Sequence, residues 1–402
     1  MRLLFLVETA LSTRNFARFG VQAAVERGWD VVVLDLGDIV FPMLNHRRDH
    51  YREFKGFEIR AIASAAAFER EMDALHRADV VINLLQADAV TRKRWPILRT
   101  LTRSGTPYLI WNGPLVPGWT RNRMIDRIAG QPRQALQMVL GNDWINSLLY
   151  RLPARWLGVR SAEWLLESGS SEGRRNGLVG EATRRISAHA PDYDVYAAES
   201  AKNPVARDQA LFLDQFLPFH PDFAASGTVS VEPEPYFAAL RHYFDRIESK
   251  LGLEVVISAH PRADYSRNPD IFGPRKIVAG DTARLVLESR LVLSHATTSI
   301  GFAVMGRRPI VLLMTEGLWR VGMERFIYQG MADELGIPLH VIDRDEPDLR
   351  DILAIDRARY DAYDAKYLTP HGKPNRPLWQ IAFDALEQNC RSGELAKGNF
   401  GC

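Results

Sequence analysis

Short apolar runs alternate with longer helix-period patterns along all 402 residues, which predicts an α/β chain with parallel sheets. The length exceeds what one hydrophobic core usually fills and suits two domains. A polar stretch at Ala198–Arg207, with Pro204 just before a new apolar run, marks the boundary. The expected organisation is therefore two doubly wound domains, 1–200 and 201–376, followed by a helix and tail at 377–402.

In the first half the apolar runs place strands at Leu3–Val7, Val31–Leu34, Val80–Leu84, Tyr108–Trp111, Trp164–Leu166 and Ile186–Ala188. Helical periodicity fills Asn15–Arg27, Phe68–Arg77 and Arg92–Arg103. In the second half strands fall at Ala210–Leu213, Val255–Ala259, Lys276–Val278, Leu291–Ser294, Ile310–Leu313 and Leu339–Ile342. Helices are expected at Pro235–Leu251, Thr282–Ser289, Ser299–Met305, Val321–Leu335 and Pro377–Gln388. Glu167–Gly180 is rich in Gly, Ser and Arg and reads as a loop.

The apolar share of 46% and charged share of 25% are those of a globular protein. A net charge of +2 is too small for a whole-protein nucleic-acid footprint. Cys390 and Cys402 are the only cysteines, both near the end, and point to a reducing compartment. The run Leu3–Val7 is short for a signal core and stops at Glu8, so a first strand and a cytoplasmic protein are expected. No apolar run approaches the roughly 20 residues of a membrane span. The stretch 117–160 combines Trp119, Trp144 and Trp156 with Arg121, Arg123, Arg127, Arg133, Arg151, Arg155 and Arg160. Such a segment either packs its aromatic face or lies on the anionic inner face of a membrane.

Two segments carry the chemistry. Val255–Arg262 (VVISAHPR) reads as a buried strand whose end presents His260, Pro261 and Arg262. Leu291–Met305 (LVLSHATTSIGFAVM) reads as a strand, then Ser294, His295, Thr297, Thr298 and Ser299, then a helix of small residues. Ligands of parallel sheets sit at the carboxyl ends of strands, so imidazole, guanidinium and hydroxyls meeting there suggest a nucleotide-phosphate site. Gly280, Asp281 and Thr282 follow another strand end and open a helix; they can hold the base and ribose or simply cap the helix. Asp214 ends the first strand of the second domain, beside the phosphate residues, and with Gln215 is expected to be a donor-site group.

The ordered pair of Ala259–Arg262 and Thr297–Ser299 resembles the donor-binding motifs of bacterial sialyltransferases and polysialyltransferases. The wider run Lys276–Leu313 looks like transferases of capsule and lipopolysaccharide synthesis, which handle sialic and other nonulosonic acids, Kdo or glycerol phosphate. The likeness spans about Leu211–Leu313. It implies the GT-B architecture, two facing Rossmann-like domains with a terminal helix crossing back to the first. It further implies an inverting, metal-independent glycosyltransferase that moves an acidic sugar from a CMP-linked donor to a glycan or lipid-linked glycan acceptor. His260 would then serve the departing phosphate, with Arg262, Thr297, Thr298 and Ser299 as donor ligands and His295 beside them. The family's acidic-pair motif for the general base is absent, and Asp192, Asp194 and Glu8 stand as candidates in its place. Two other enzyme readings remain open, a UDP-sugar 2-epimerase and a CDP-glycerol-type transferase. A third is a non-catalytic nucleotide-binding subunit of a polysaccharide assembly complex.

Overall fold

The computed structural model describes residues 1–42, 46, 48–74, 79–85, 90–114, 117, 145–146, 148–149, 152–169, 176–219, 231–266, 268–320, 322–344, 346 and 348–391. They form two compact units. Among the described residues the first holds Met1–Gly113, those from 145 to His189, and Lys373–Arg391; the second holds Pro114, Pro117 and Ala190–Gly372.

The strands of the first unit are β1 (Arg2–Val7), β2 (Asp30–Asp35), β3 (Glu58–Ala61), β4 (Val80–Asn83), β5 (Tyr108–Asn112), β6 (Trp164–Ser168) and β7 (Arg184–Ala188). They make one parallel sheet in the order β3-β2-β1-β4-β5-β6-β7. Because side chains alternate along a strand, a sheet covered on both faces needs near-continuous apolar strands. Leu4 and Leu6 join Val32, Leu34, Val81 and Ile110 on one face. Leu3, Phe5 and Val7 join Val31, Val33, Val80 and Ile82 on the other.

That second face is closed by the C-terminal helix Leu378–Arg391, whose apolar stripe is Leu378, Trp379, Ala382, Phe383 and Leu386. The Trp379 indole N–H donates to the Arg18 carbonyl oxygen at 2.8 Å, tying the helix to the turn after Thr13–Arg18. The crossover helix expected from the sequence is thus observed, packed on the first unit.

The strands of the second unit are β8 (Gln209–Leu213), β9 (Glu254–Ala259), β10 (Ile277–Ala279), β11 (Leu291–Ser294), β12 (Ile310–Met314) and β13 (Leu339–Val341). They pair in parallel in the order β10-β9-β8-β11-β12-β13. The 19-residue helix Pro233–Leu251 buries Tyr236, Phe237, Leu240, Tyr243, Phe244 and Ile247 in its core.

Three local features depart from the expectation. The expected helix Asn15–Arg27 is broken in two because Gly20 takes a left-handed φ of +80° between Thr13–Arg18 and Val21–Glu26. Edge strand β3 has no apolar run because the charged Glu58 and Arg60 alternate with Ile59 and Ala61, and none of the four is buried. A short helix, Glu316–Arg320, precedes Gly322–Leu335.

The division between the units lies at His189–Ala190, ahead of the polar stretch Ala198–Arg207. Helix Pro191–Ser200 stays with the second unit because Ala190 N–H donates to Leu368 O at 2.7 Å and Tyr196 O–H to Met305 O at 3.0 Å. Polarity identified an exposed surface there rather than the end of a core.

Among the described residues no helix is long and apolar enough to cross a membrane. Trp119, Trp144, Arg121, Arg123, Arg127, Arg133 and Arg151 lie outside the described residues, as do 170–175 of the expected loop and Cys402.

Candidate functional site

A doubly wound sheet opens a crevice where adjacent strands send their connections to opposite faces, at the carboxyl ends. In the second unit that point lies between β8 and β11. Ser294, Leu213, Ser258 and Val278 stand side by side on β11, β8, β9 and β10. The residues that follow them, from His295, Asp214, His260 and Gly280, therefore leave the sheet along one edge. Most of the expected donor residues are gathered here.

Asp214 organises this edge. Its Oδ1 accepts the Phe216 N–H at 2.8 Å, and its Oδ2 accepts the His260 N–H at 3.1 Å and the Tyr265 O–H at 2.7 Å. The side chain is only 7% exposed. Burial pushes its pKa up, and the Tyr265 and backbone hydrogen bonds hold it back. Burial, with the Asp214 charge beside it, also keeps the Tyr265 phenol protonated. Gln215 reaches across the switch point, donating from Nε2 to the Ala296 carbonyl oxygen at 2.7 Å.

His260 begins a tight turn closed by Ala263 N–H onto its carbonyl at 2.8 Å. Pro261 occupies the second position, where its fixed φ suits such a turn. The Arg262 N–H donates to His260 Nδ1 at 3.2 Å. A ring nitrogen that accepts carries no proton, so this contact assigns the ring proton to Nε2. Pro261 and Arg262 are exposed at the edge.

Gly280 and Asp281 both adopt left-handed conformations, with φ of +75° and +55°. Asp281 makes no cap bond and instead pairs with Arg284 at 3.0 Å. Thr282 Oγ1 lies 3.0 Å from Ser258 Oγ, which clips this loop to the end of β9. On the β11 side Thr297, Thr298 and Ser299 are half-buried. Ser299 makes no side-chain cap bond to the helix Ile300–Met305.

His295 stands apart from the others. It is fully buried, with Nδ1 donating to Leu313 O at 2.7 Å and Nε2 2.8 Å from the Tyr236 hydroxyl. Desolvation lowers its pKa to about 4. Neutral and satisfied at both nitrogens, it pins β11 to β12 inside the core and does not reach the edge. Adjacency in sequence to the hydroxyl cluster had grouped it with the donor residues.

The candidate bases are dispersed. Asp192 and Asp194 lie in the first turn of helix Pro191–Ser200, with Asp192 only 8% exposed and close enough to Tyr363 to raise its pKa further. Ala190 bonds Leu368, and Leu368 lies against Gly301, so this helix starts near the start of Ile300–Met305. Glu8 follows β1 in the first unit, where Arg94 Nε and Nη2 donate to its Oε2 at 3.0 and 2.8 Å. Tyr265, Phe216 and Ser258 were not anticipated. No sequence signal marks them, because their roles arise from loops meeting in space.

No protein-family model and no curated protein matches the chain. Its fold is similar to solved structures. A histidine-to-asparagine variant of the wall teichoic acid polymerase TagF shares 11% identity, covering 98% of this chain and 90% of that one, with a TM-score of 0.53. The same variant with CDPG shares 10%, covering 98% and 89%, at 0.52. Acinetobacter baumannii MurG shares 11%, covering 96% and 99%, at 0.49. At such identities the likeness speaks for the fold alone, two Rossmann-like parallel-sheet units of the GT-B class.

Proposed function

We propose that the protein is an inverting glycosyltransferase that binds a nucleotide-activated sugar at the carboxyl edge of β8, β9 and β11. The observation that carries this reading is the placement of His260. It follows β9, which adjoins β8 at the switch point, and its Nδ1 accepts the Arg262 amide at 3.2 Å, which leaves Nε2 as the ring position that would serve a phosphate. In the reaction the bond between the anomeric carbon and the phosphate oxygen breaks as the acceptor oxygen attacks from the opposite face. His260 would donate to that phosphate as negative charge develops. Arg262, Thr297, Thr298 and Ser299 would supply a cation and hydroxyls to the same group. A carboxylate takes the acceptor proton, with Asp192, Asp194 and Glu8 as the candidates.

The finer reading is a CMP-linked acidic sugar, supported by the resemblance of the His-Pro and hydroxyl motifs to sialyltransferases, with a glycan acceptor and no metal in the transfer. The fold likeness to a polymerase recorded with CDPG makes CDP-linked donors the second class to test. A peripheral position on anionic membrane is also part of the proposal. Trp156 and Leu148 are 70% and 50% exposed, and Arg155 is exposed beside Trp156. Unchanged sedimentation with anionic vesicles at low salt would remove that element.

The main test is calorimetric binding of CMP, CDP, UDP and GDP, with and without magnesium, to wild type and His260→Ala. Selective CMP binding that weakens in the variant supports the reading. In turnover with the matching donor, loss of one such preorganised donor lowers the rate about 10²–10³-fold. CDP selectivity shifts the assignment to the second class, and indifference to every nucleotide overturns both.

A further inference from the structure

The edge of the second unit contains a strained residue whose position is explained by its neighbours. Phe216 has a φ of +54°, in the left-handed region that bulky side chains avoid. Its N–H is held by Asp214 Oδ1 at 2.8 Å, and its ring meets Tyr265 edge-on at 5.6 Å between centroids. Asp214 Oδ2 in turn takes the Tyr265 hydroxyl and the His260 amide. One buried carboxylate thus fastens the loop after β8 to the loop after β9. Strained backbone of this kind persists where the surroundings over-determine it, and it clusters at working sites.

We propose that Asp214 and Tyr265 act as a positioning pair for His260, with Phe216 held in its left-handed conformation as part of the same clamp. The pair works through the backbone. It fixes the His260 amide, and that sets the turn through which the Arg262 N–H reaches Nδ1 and assigns the ring proton to Nε2. In this role the pair acts on His260 rather than on the reacting atoms. The role rests on the reading of His260 as the phosphate partner, but the geometry it asserts does not depend on which nucleotide binds.

The experiment records the His260 ring by nitrogen-15 NMR in the full chain and measures CMP affinity by calorimetry. Wild type, Tyr265→Phe, Asp214→Asn and His260→Ala are compared. Tyr265→Phe removes one oxygen and leaves the ring packing, so it remains informative even if Asp214→Asn does not fold. Wild type is expected to show a single Nε2–H tautomer. In Tyr265→Phe both ring nitrogens move toward the averaged shifts of a free histidine, and CMP binds about tenfold more weakly, the loss of one charge-assisted hydrogen bond. A structural role alone would lower the melting temperature and leave the tautomer and the affinity as in wild type; that result overturns the clamp. If wild type ignores CMP but the tautomer still shifts in Tyr265→Phe, the clamp stands and the nucleotide reading falls. If His260→Ala weakens CMP while Tyr265→Phe changes neither readout, the reverse holds.

Discussion

Replacing Gly20 by alanine tests how the C-terminal helix is seated on the first unit. Gly20 has a φ of +80°, and a Cβ there would come within 2.6 Å of Trp379 Cγ and 2.7 Å of Cε2. The indole cannot swing away easily. It is 5% exposed, bonded to Arg18 O and packed on Trp111 and Phe383. A left-handed alanine costs about 1–2 kcal/mol and overpacking a tight site about 1–3 kcal/mol. Reduced freedom of the unfolded chain returns about 0.4–1 kcal/mol. The net expectation is a loss of about 1–5 kcal/mol, or several degrees of melting temperature for a unit of this size.

Gly105→Ala is the control, since Gly105 has a φ of +70° but nothing within 4 Å of an added Cβ. It carries the backbone cost without the collision. Calorimetric melts of both variants, with hydrogen exchange over Leu378–Arg391, separate the two contributions. Gly20→Ala should melt lower than Gly105→Ala and expose the helix amides to faster exchange. Equal melting temperatures and unchanged exchange would refute the packing argument.

Two further outcomes concern the second unit. His295 and His340 are both buried, with burial lowering each pKa from 6.5 to about 4. The unfolded chain takes up these protons near pH 6.5 while the folded chain resists until about pH 4, so stability is full above 6.5 and falls as pH drops between the two values. Each histidine accounts for up to about 3 kcal/mol. Melting temperatures from pH 7.5 to 5 should fall, and His295→Asn should flatten that slope; an unchanged slope would contradict the assignment. At Phe216, glycine relieves the left-handed backbone and alanine does not, while both delete the ring. Phe216→Gly should therefore melt about 2–4 °C above Phe216→Ala, and equal values would mean the backbone there is unstrained.

Much of the scaffold was legible because burial on both faces of a parallel sheet leaves continuous apolar runs. Most strands announced themselves in this way; the edge strands Arg184–Ala188 and Ile277–Ala279 are mostly unburied yet keep a short apolar run, and the edge strand Glu58–Ala61 does not. The stripe Leu378–Leu386 likewise declared a packed helix. Strand ends could be counted from the same runs, so His260, Asp214, Gly280 and Thr297 were recognisable as residues that leave a sheet at its carboxyl edge.

Only the tertiary structure decided which of these residues work together. Asp192 and Asp194 follow a first-unit strand in sequence, yet their helix packs with the second unit through Tyr196 and Ala190. His295, one residue beyond a strand, turned inward because the Leu313 carbonyl and the Tyr236 hydroxyl satisfy it there. Tyr265 joined the site from a loop with no periodicity. Local sequence sets backbone preference and the spacing of apolar side chains, and these determine strands, helices and their ends. Hydrogen-bond partners such as Asp214 and Tyr265 are 51 residues apart and meet only when strand order brings their loops together, so their roles exist only in the folded chain.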